Sequence, residues 1–449
     1  MDNQINGNPT KTFFIEMITR DISIKDAILD LLDNSIDGAN AINPNDYTGL
    51  YIDITVSNDG FKVKDNCGGF TLETAKKYAF RFGRPDEMVH NAGSIGRFGV
   101  GMKRALFKMG MNFEVESKTD NDHFQIDVDV SQWKNKKRTV TLDINDEEEQ
   151  IEIDDWNFEY QLISLETVNL EESGTYIAVS NLKKEVSAIF SDPEFLVELE
   201  NDIERFLNFS LEKGLIIRLN GKELKKRGIV LFNEQSKPYM YEGIIDGVNV
   251  RISAGLSHVG EPKASGWYIY CNDRLVVEEN KYEETGWGTS NIPKWHPDYV
   301  MFKGVVFLDS EDTIKLPLTT TKKGIDTTSE LYKKVLFFMR EAMSSVLGFL
   351  KEVRKLGSEA NDYRKMLGEQ EANITVAVLK TANIDKERLF ISPEIDLDTI
   401  ADKKSHVRIA YNVDRELASK AKQHSECSSF KQLGEYTFEY YLKMEELTN

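Results

Sequence analysis

Residues 30–40 read DLLDNSIDGAN. Around them, over residues 24–42, apolar side chains recur as Ile28, Leu31, Leu32, Ile36 and Ala39, the three-to-four spacing of one helix face. The other side carries Asp30, Asp33, Asn34 and Asp37 at i, i+3, i+4 and i+7, a polar stripe whose carboxylates repel one another. Two answers to that repulsion are open. The stripe is a solvated helix face, or it meets a divalent cation: Mg²⁺ takes a few protein oxygens, fills its octahedron with water and phosphate, and accepts an Asn carbonyl that adds no charge.

Downstream, YIDITVS (51–57) and FKVKD (61–65) alternate about a turn at Asn58-Asp59-Gly60 and read as a hairpin. The second strand ends in DNCGGF (65–70). A carboxylate at Asp65 can accept a hydrogen bond from an exocyclic amine, and Gly68 and Gly69 let a ligand approach the backbone; the same string also suits an ordinary turn. Residues 71–82 read as helical. In IGRFGVGMKRA (95–105), Gly96, Gly99, Val100 and Gly101 lead into a helix over 102–109 that stops at Gly110. Backbone N–H groups at such a helix start favour phosphate. The loop is not a Walker loop, since no Gly-Lys-Ser/Thr follows, and its G-x-x-G-x-G order is not a dinucleotide fingerprint. FEVES, FQIDVDV, RTVTLDI and TYIAVSNL then alternate, giving an antiparallel sheet with helices on one face, an α+β domain.

In order and spacing these elements resemble the signature of the GHKL ATPases, the superfamily of gyrase, heat-shock chaperones, histidine kinases and MutL. DLLDNSIDGAN matches its Asn-bearing helix, DNCGGF its D-x-G-x-G turn, IGRFGVGMKRA its lid loop, and Gly174-Thr175 before YIAVS its Gly-Thr. The resemblance implies a Bergerat α/β sandwich that binds ATP with Mg²⁺. It extends over residues 10–345, because WYIYCNDRLVV (267–277) and LPLTTTKKGID (316–326) look like the S5-like α/β transducer domain that follows. It implies Asn34 as the Mg²⁺ ligand, Asp65 as the adenine reader, Gly69 beside it, and Gly96, Gly99, Val100 and Gly101 as the phosphate lid. Lys103 and Thr175 complete the pocket. Lys322 is similar to the transducer lysine that reaches the γ-phosphate, with Lys323 as the alternative register and a solvated loop lysine as the plainer reading. The NSID box and GRFGVGMK look closest to MORC-like and chaperone-like members. Cys67 stands where the first Gly of D-x-G-x-G is usual, and Asp30 stands where hydrolysing members carry a Glu as base. The shorter side chain puts turnover in question, and the resemblance implies either a slow ATPase that closes as a dimer or, alternatively, a non-hydrolysing ATP-sensing scaffold that recruits a partner effector, with prokaryotic defence as one setting for it.

The expected division is an ATP-binding domain over 1–190, a transducer domain over 191–345, a helical linker over 346–400 and a small β-α-α unit over 401–449. In the last, SHVRIAYNVD (405–414) alternates Val407, Ile409, Tyr411 and Val413 against Arg408, Ala410 and Asn412. Helices are expected from about 415 to 424 and, after Ser429 as N-cap, to 446, with Leu433, Tyr436, Thr437, Tyr440 and Tyr441 inward. The pattern resembles a ribbon-helix-helix unit, which implies a homodimer and would put Arg408 and Asn412 on a DNA-reading face. The alternative is a tail folded onto its own chain.

With 75 acidic against 56 basic residues and a formal charge of -19, the composition opposes non-specific nucleic-acid wrapping. The acidic run over 143–155 reads as a solvated loop or strand edge. Cys67, Cys271 and Cys427 lie far apart without metal-ligand spacing, so no disulfide or structural zinc is expected. No apolar run reaches membrane-span length, and the first residues lack the basic and apolar regions of a secretion signal, so the expectation is a cytoplasmic protein with an unidentified protein partner or client.

Overall fold

The computed structural model of the chain describes residues 7–83, 100–144, 147–163, 169–226, 230–231, 236–257, 262–319, 324–357, 360–368, 374–381, 389–394, 409–425, 427–445 and 447. Helix α1 (Lys11–Arg20) is capped by Thr10, and α2 (Ile24–Ile42) by Ser23, whose hydroxyl accepts from the Asp26 N–H. Ile28, Leu31, Leu32, Ile36 and Ala39 of α2 are all buried, as their spacing predicts. Strands β1 (Tyr51–Ser57) and β2 (Gly60–Asp65) form the expected hairpin with Ile54 opposite Val63. Residues 71–82, read as one helix, instead make a short α3 (Leu72–Thr74) and a π turn, Ala75–Ala79. Next come α4 (Gly101–Met109), β3 (Gly110–Lys118), β4 (His123–Asp129) and α5 (Val130–Asn135). Most of the acidic run falls on the hairpin of β5 (Lys137–Ile144) and β6 (Glu147–Asp154). After β7 (Gln161–Leu162) and β8 (Gly174–Leu182), helices α6 (Lys184–Phe190), α7 (Pro193–Phe206) and α8 (Asn208–Glu212) lead to β9 (Ile216–Leu219) and β10 (Lys222–Glu223).

These strands build an eight-stranded sheet in the order β10-β9-β1-β2-β8-β3-β4-β7, antiparallel except where β1 meets β9. In β1, Ile52, Ile54 and Val56 are buried while Thr55 and Ser57 are exposed, so one face is covered. The covering layer includes α1, α2 and α4, which share a core with Phe61, Val115 and Ile177 of the sheet. That topology places the C-terminal end of β2 beside α2, where the candidate site lies.

A second, five-stranded sheet follows a short β11 (Val230–Leu231). Its strands are β12 (Tyr239–Ile245), β13 (Val248–Leu256), β14 (Gly266–Cys271), β15 (Arg274–Asn280) and β16 (Phe302–Asp309), in the order β12-β13-β16-β14-β15. Every residue of β14 is buried, the mark of a strand covered on both faces. Helix α9 (Glu330–Lys355) packs on this sheet, with Phe338 stacked 4.0 Å from Tyr241. Beyond it lie α10 (Ala360–Gly368), β17 (Ile374–Thr375), which pairs with β11, and α11 (Val376–Thr381). Among the described residues no helix is long and apolar enough to cross a membrane.

The chain divides into two compact units, Met1–Ile395 and Asp396–Asn449. In the second, α12 (Arg415–His424) is capped by Asp414, and α13 (Phe430–Met444) by Ser429, which accepts from the Gln432 N–H. The helices fall where the sequence places them, but the inward face does not: Leu433 is buried, whereas Tyr436, Tyr440 and Tyr441 are exposed. Of the alternating segment, residues 409–414 form no strand, and Arg408 lies outside the described residues.

Candidate functional site

Period-two alternation along β2 turns Phe61, Val63 and Asp65 toward the helices. Asp65 therefore ends the strand with its carboxylate under α2, only 3% exposed. Its Oδ2 accepts from the Ser35 hydroxyl at 2.6 Å, and its Oδ1 accepts from the N–H groups of Cys67 at 2.9 Å and Thr175 at 3.1 Å. Burial raises the pKa of Asp65, and the three hydrogen bonds oppose that rise by favouring the charged form.

The backbone is drawn tight around this carboxylate. Thr175 on β8 lies in register with Asp65 and with Ser117 on β3. A Cβ on Gly174 would stand 2.0 Å from the Asp65 carbonyl oxygen, and one on Gly38 of α2 would stand 2.4 Å from that of Cys67. Gly69, at φ +64°, would bring a Cβ within 2.3 Å of the Lys118 carbonyl oxygen. Ser117 both donates to the Phe70 carbonyl and accepts from its N–H at 2.8 Å. The DNCGGF string is thus a strand end held by three neighbouring segments, more than an ordinary turn.

Above this floor, the α2 stripe departs from a solvated face. Asn34 is exposed, but Asp30 is 3% and Asp33 0% exposed. The answer to their repulsion is a pair of arginines. Arg104 of α4 donates to Asp30 Oδ2 at 2.5 Å, and Arg274 of β15 is ion-paired with Asp33. Gly101, the first residue of α4, sits over Asp30, where an added Cβ would lie 3.4 Å from Oδ2. The N-terminus of α4 and its orphan N–H groups therefore face the end of the stripe that carries Asp30.

Of the residues expected in the site, Asp65, Gly69 and Thr175 are brought together, and Asp30 meets Gly101. Val100 occupies the N-cap position of α4. Lys103 points its ammonium group into the protein, donating to the Ala79 carbonyl at 2.6 Å. Gly96, Gly99, Lys322 and Lys323 lie outside the described residues. Ser35, Arg104 and Arg274 escaped the sequence reading. Arg274 did leave a signal, a lone cation in the apolar alternation of WYIYCNDRLVV; Ser35 left none beyond its place beside Asn34. Among the described residues, no cluster of three or more His, Cys, Asp or Glu could hold a metal ion by itself. The donor chemistry suits a cation brought in with phosphates, for which Asn34 offers a neutral oxygen.

Comparison with known proteins bears on this geometry. No curated protein matches the chain. Residues 22–161 match the family model described as histidine kinase-, DNA gyrase B-, and HSP90-like ATPase. The match takes in α2, the Asp65 turn and α4 but stops short of Thr175 on β8, and residues 22–161 are thereby a domain of the GHKL ATPase type.

Proposed function

We propose that this chain is an Mg²⁺-dependent, ATP-binding conformational switch that hydrolyses ATP slowly and closes as a dimer. The observation that carries the reading is Asp65. A carboxylate offers about four acceptor positions. Three are filled by Ser35, Cys67 and Thr175, which leaves one for the exocyclic amine of adenine at the mouth of a glycine-lined turn. In this reading Asn34 holds Mg²⁺, Gly96, Gly99, Val100 and Gly101 close over the phosphates, and Lys322 of the transducer domain (191–345) senses the γ-phosphate. The ATP-binding domain spans 1–190, residues 346–400 link, and 401–449 join two protomers. Asp30 stands where a base would act, but Arg104 already donates to its Oδ2. That guanidinium takes one acceptor position of the carboxylate and fixes the direction in which the rest of it points.

That ion pair also favours a second reading, a non-hydrolysing ATP sensor that recruits a partner effector. ATP titration and phosphate release measured on the same preparation separate the two. Slow hydrolysis predicts that Asp30→Glu accelerates turnover, since misplacement of a base by about 1 Å costs on the order of 10²-fold in rate. Asp30→Ala abolishes turnover while ATP still binds. Binding without phosphate release in both wild type and Asp30→Glu selects the sensor, and absence of binding overturns both.

A further inference from the structure

The turn from β14 to β15 reverses the chain at Asn272 and Asp273, both left-handed, with φ of 45° and 67°. Cys271 pairs with Arg274 across it, so three successive side chains leave the tip for three different partners. Asn272 clamps the tip to its own sheet, accepting from the Ser310 N–H at 2.9 Å and donating to the Ser310 carbonyl at 3.0 Å. Asp273 accepts from Lys213 at 2.7 Å and is ion-paired with Lys380 of α11, which also reaches Asp309 at 2.9 Å. Lys213 in addition donates to the Pro44 carbonyl at 2.6 Å, just past the end of α2. Arg274 enters the first sheet's domain and meets Asp33 of α2, both buried.

One rigid tip thus grips the nucleotide helix at Asp33 and behind its C-terminus, and grips α11 through the neighbouring residue. Asp33 is buried, so α2 cannot shift while Arg274 stays in place without leaving a buried charge poorly paired. Arg274 also feels the charges of Asp30 and Asp26, further along the same helix, so its guanidinium has a second carboxylate within its field. Arg104 competes for Asp30. On the other side, Asp273 and Lys380 line a cleft of about 750 Å³ with Asp37 and Asn40, which gives that half of the joint room to rearrange.

The geometry points to the Asn272–Asp273–Arg274 tip as the joint that carries nucleotide occupancy from α2 to segment 374–381, with Arg274 as the positioning residue and Asp273 as its output. This inference rests on the ATP-binding reading above. The test is hydrogen–deuterium exchange of the full chain with and without a non-hydrolysable ATP analogue, with binding titrated in parallel so that turnover does not enter. In the wild type, nucleotide changes exchange in segment 31–38 and, by about tenfold, in segment 374–381, a size typical of coupling between sites. Asp33→Asn/Arg274→Met, which removes both charges together, still binds and still responds at 31–38 but is silent at 374–381. Lys380→Gln gives the same pattern without touching α2, and decides the matter if the double variant does not fold. Nucleotide bound by the wild type without any change at 374–381 overturns the joint, as does either variant that transmits the change in full. Absence of binding overturns the ATP reading instead.

Discussion

Asp65 draws two backbone N–H groups and one hydroxyl onto its two oxygens, an arrangement only an acceptor on both sides can satisfy. An Asn amide would turn its NH₂ toward Ser35 or toward the Cys67 and Thr175 N–H groups. Each buried group left without its partner costs about 1–3 kcal/mol. Asp65→Asn is expected to abolish ATP binding by calorimetric titration while circular dichroism still reports the native fold; a variant that titrates like the wild type removes Asp65 as the adenine reader. Lys103 gives a second, independent handle. Its ammonium group is buried against the Ala79 carbonyl, and burial lowers its pKa to about 7. An unfolded lysine titrates near about 10.4. Between those values the unfolded chain holds a proton that the folded chain has released, so stability rises with pH across that window. Below about 7 both states are protonated and the burial penalty is constant. Urea midpoints from pH 7 to 9.5 should therefore climb for the wild type relative to Lys103→Met, by an amount on the order of 3 kcal/mol or less. Parallel curves for the two proteins would show that the ammonium group is solvated after all.

At the scale of elements, what the sequence announces and what it conceals divide by range. α2 was legible because Ile28, Leu31, Leu32, Ile36 and Ala39 repeat within one helix, and Ser429 was legible as a cap because a cap acts three residues ahead. The Asp65 turn was legible as a string, but its character came from β8 and β3, which the chain reaches only after long excursions. The polar stripe shows the limit best. Its spacing states that carboxylates share a face; nothing in that spacing states that Arg104, 74 residues on, and Arg274, 241 residues on, neutralise it. A solvated face and a buried ion-paired face have the same one-dimensional pattern. Residues 71–82 failed for another reason. Apolar periodicity there is satisfied by a π turn as well as by an α-helix, and such turns are frequent at functional sites. This one presents the Ala79 carbonyl to Lys103, at the edge of the segment that the resemblance assigns to the lid.

The C-terminal unit poses its question at the scale of the whole molecule. Among its described residues only Cys427 and Leu433 are buried, while Ile409, Tyr411, Val413, Leu417, Tyr440 and Tyr441 are each more than half exposed. A unit of this size buries too little surface to hold two helices by itself. The alternation at Ile409, Tyr411 and Val413 is that of a strand face, yet residues 409–414 have no strand partner among the described residues. We propose that a second copy supplies both deficits at once. Two such segments can pair with each other across a two-fold axis, and that axis places the apolar side chains of one protomer against the same side chains of the other. The expected outcome is a full-length chain that sediments, without nucleotide, at twice its 51.3 kDa, and a chain ending near residue 400 that sediments as a monomer. Ile409→Lys/Val413→Lys in the full chain should reproduce the monomer, because burying two ammonium groups at a symmetric seam opposes them to their own copies. A full-length monomer, or a dimer that survives both changes, would falsify the assignment of dimerisation to this unit.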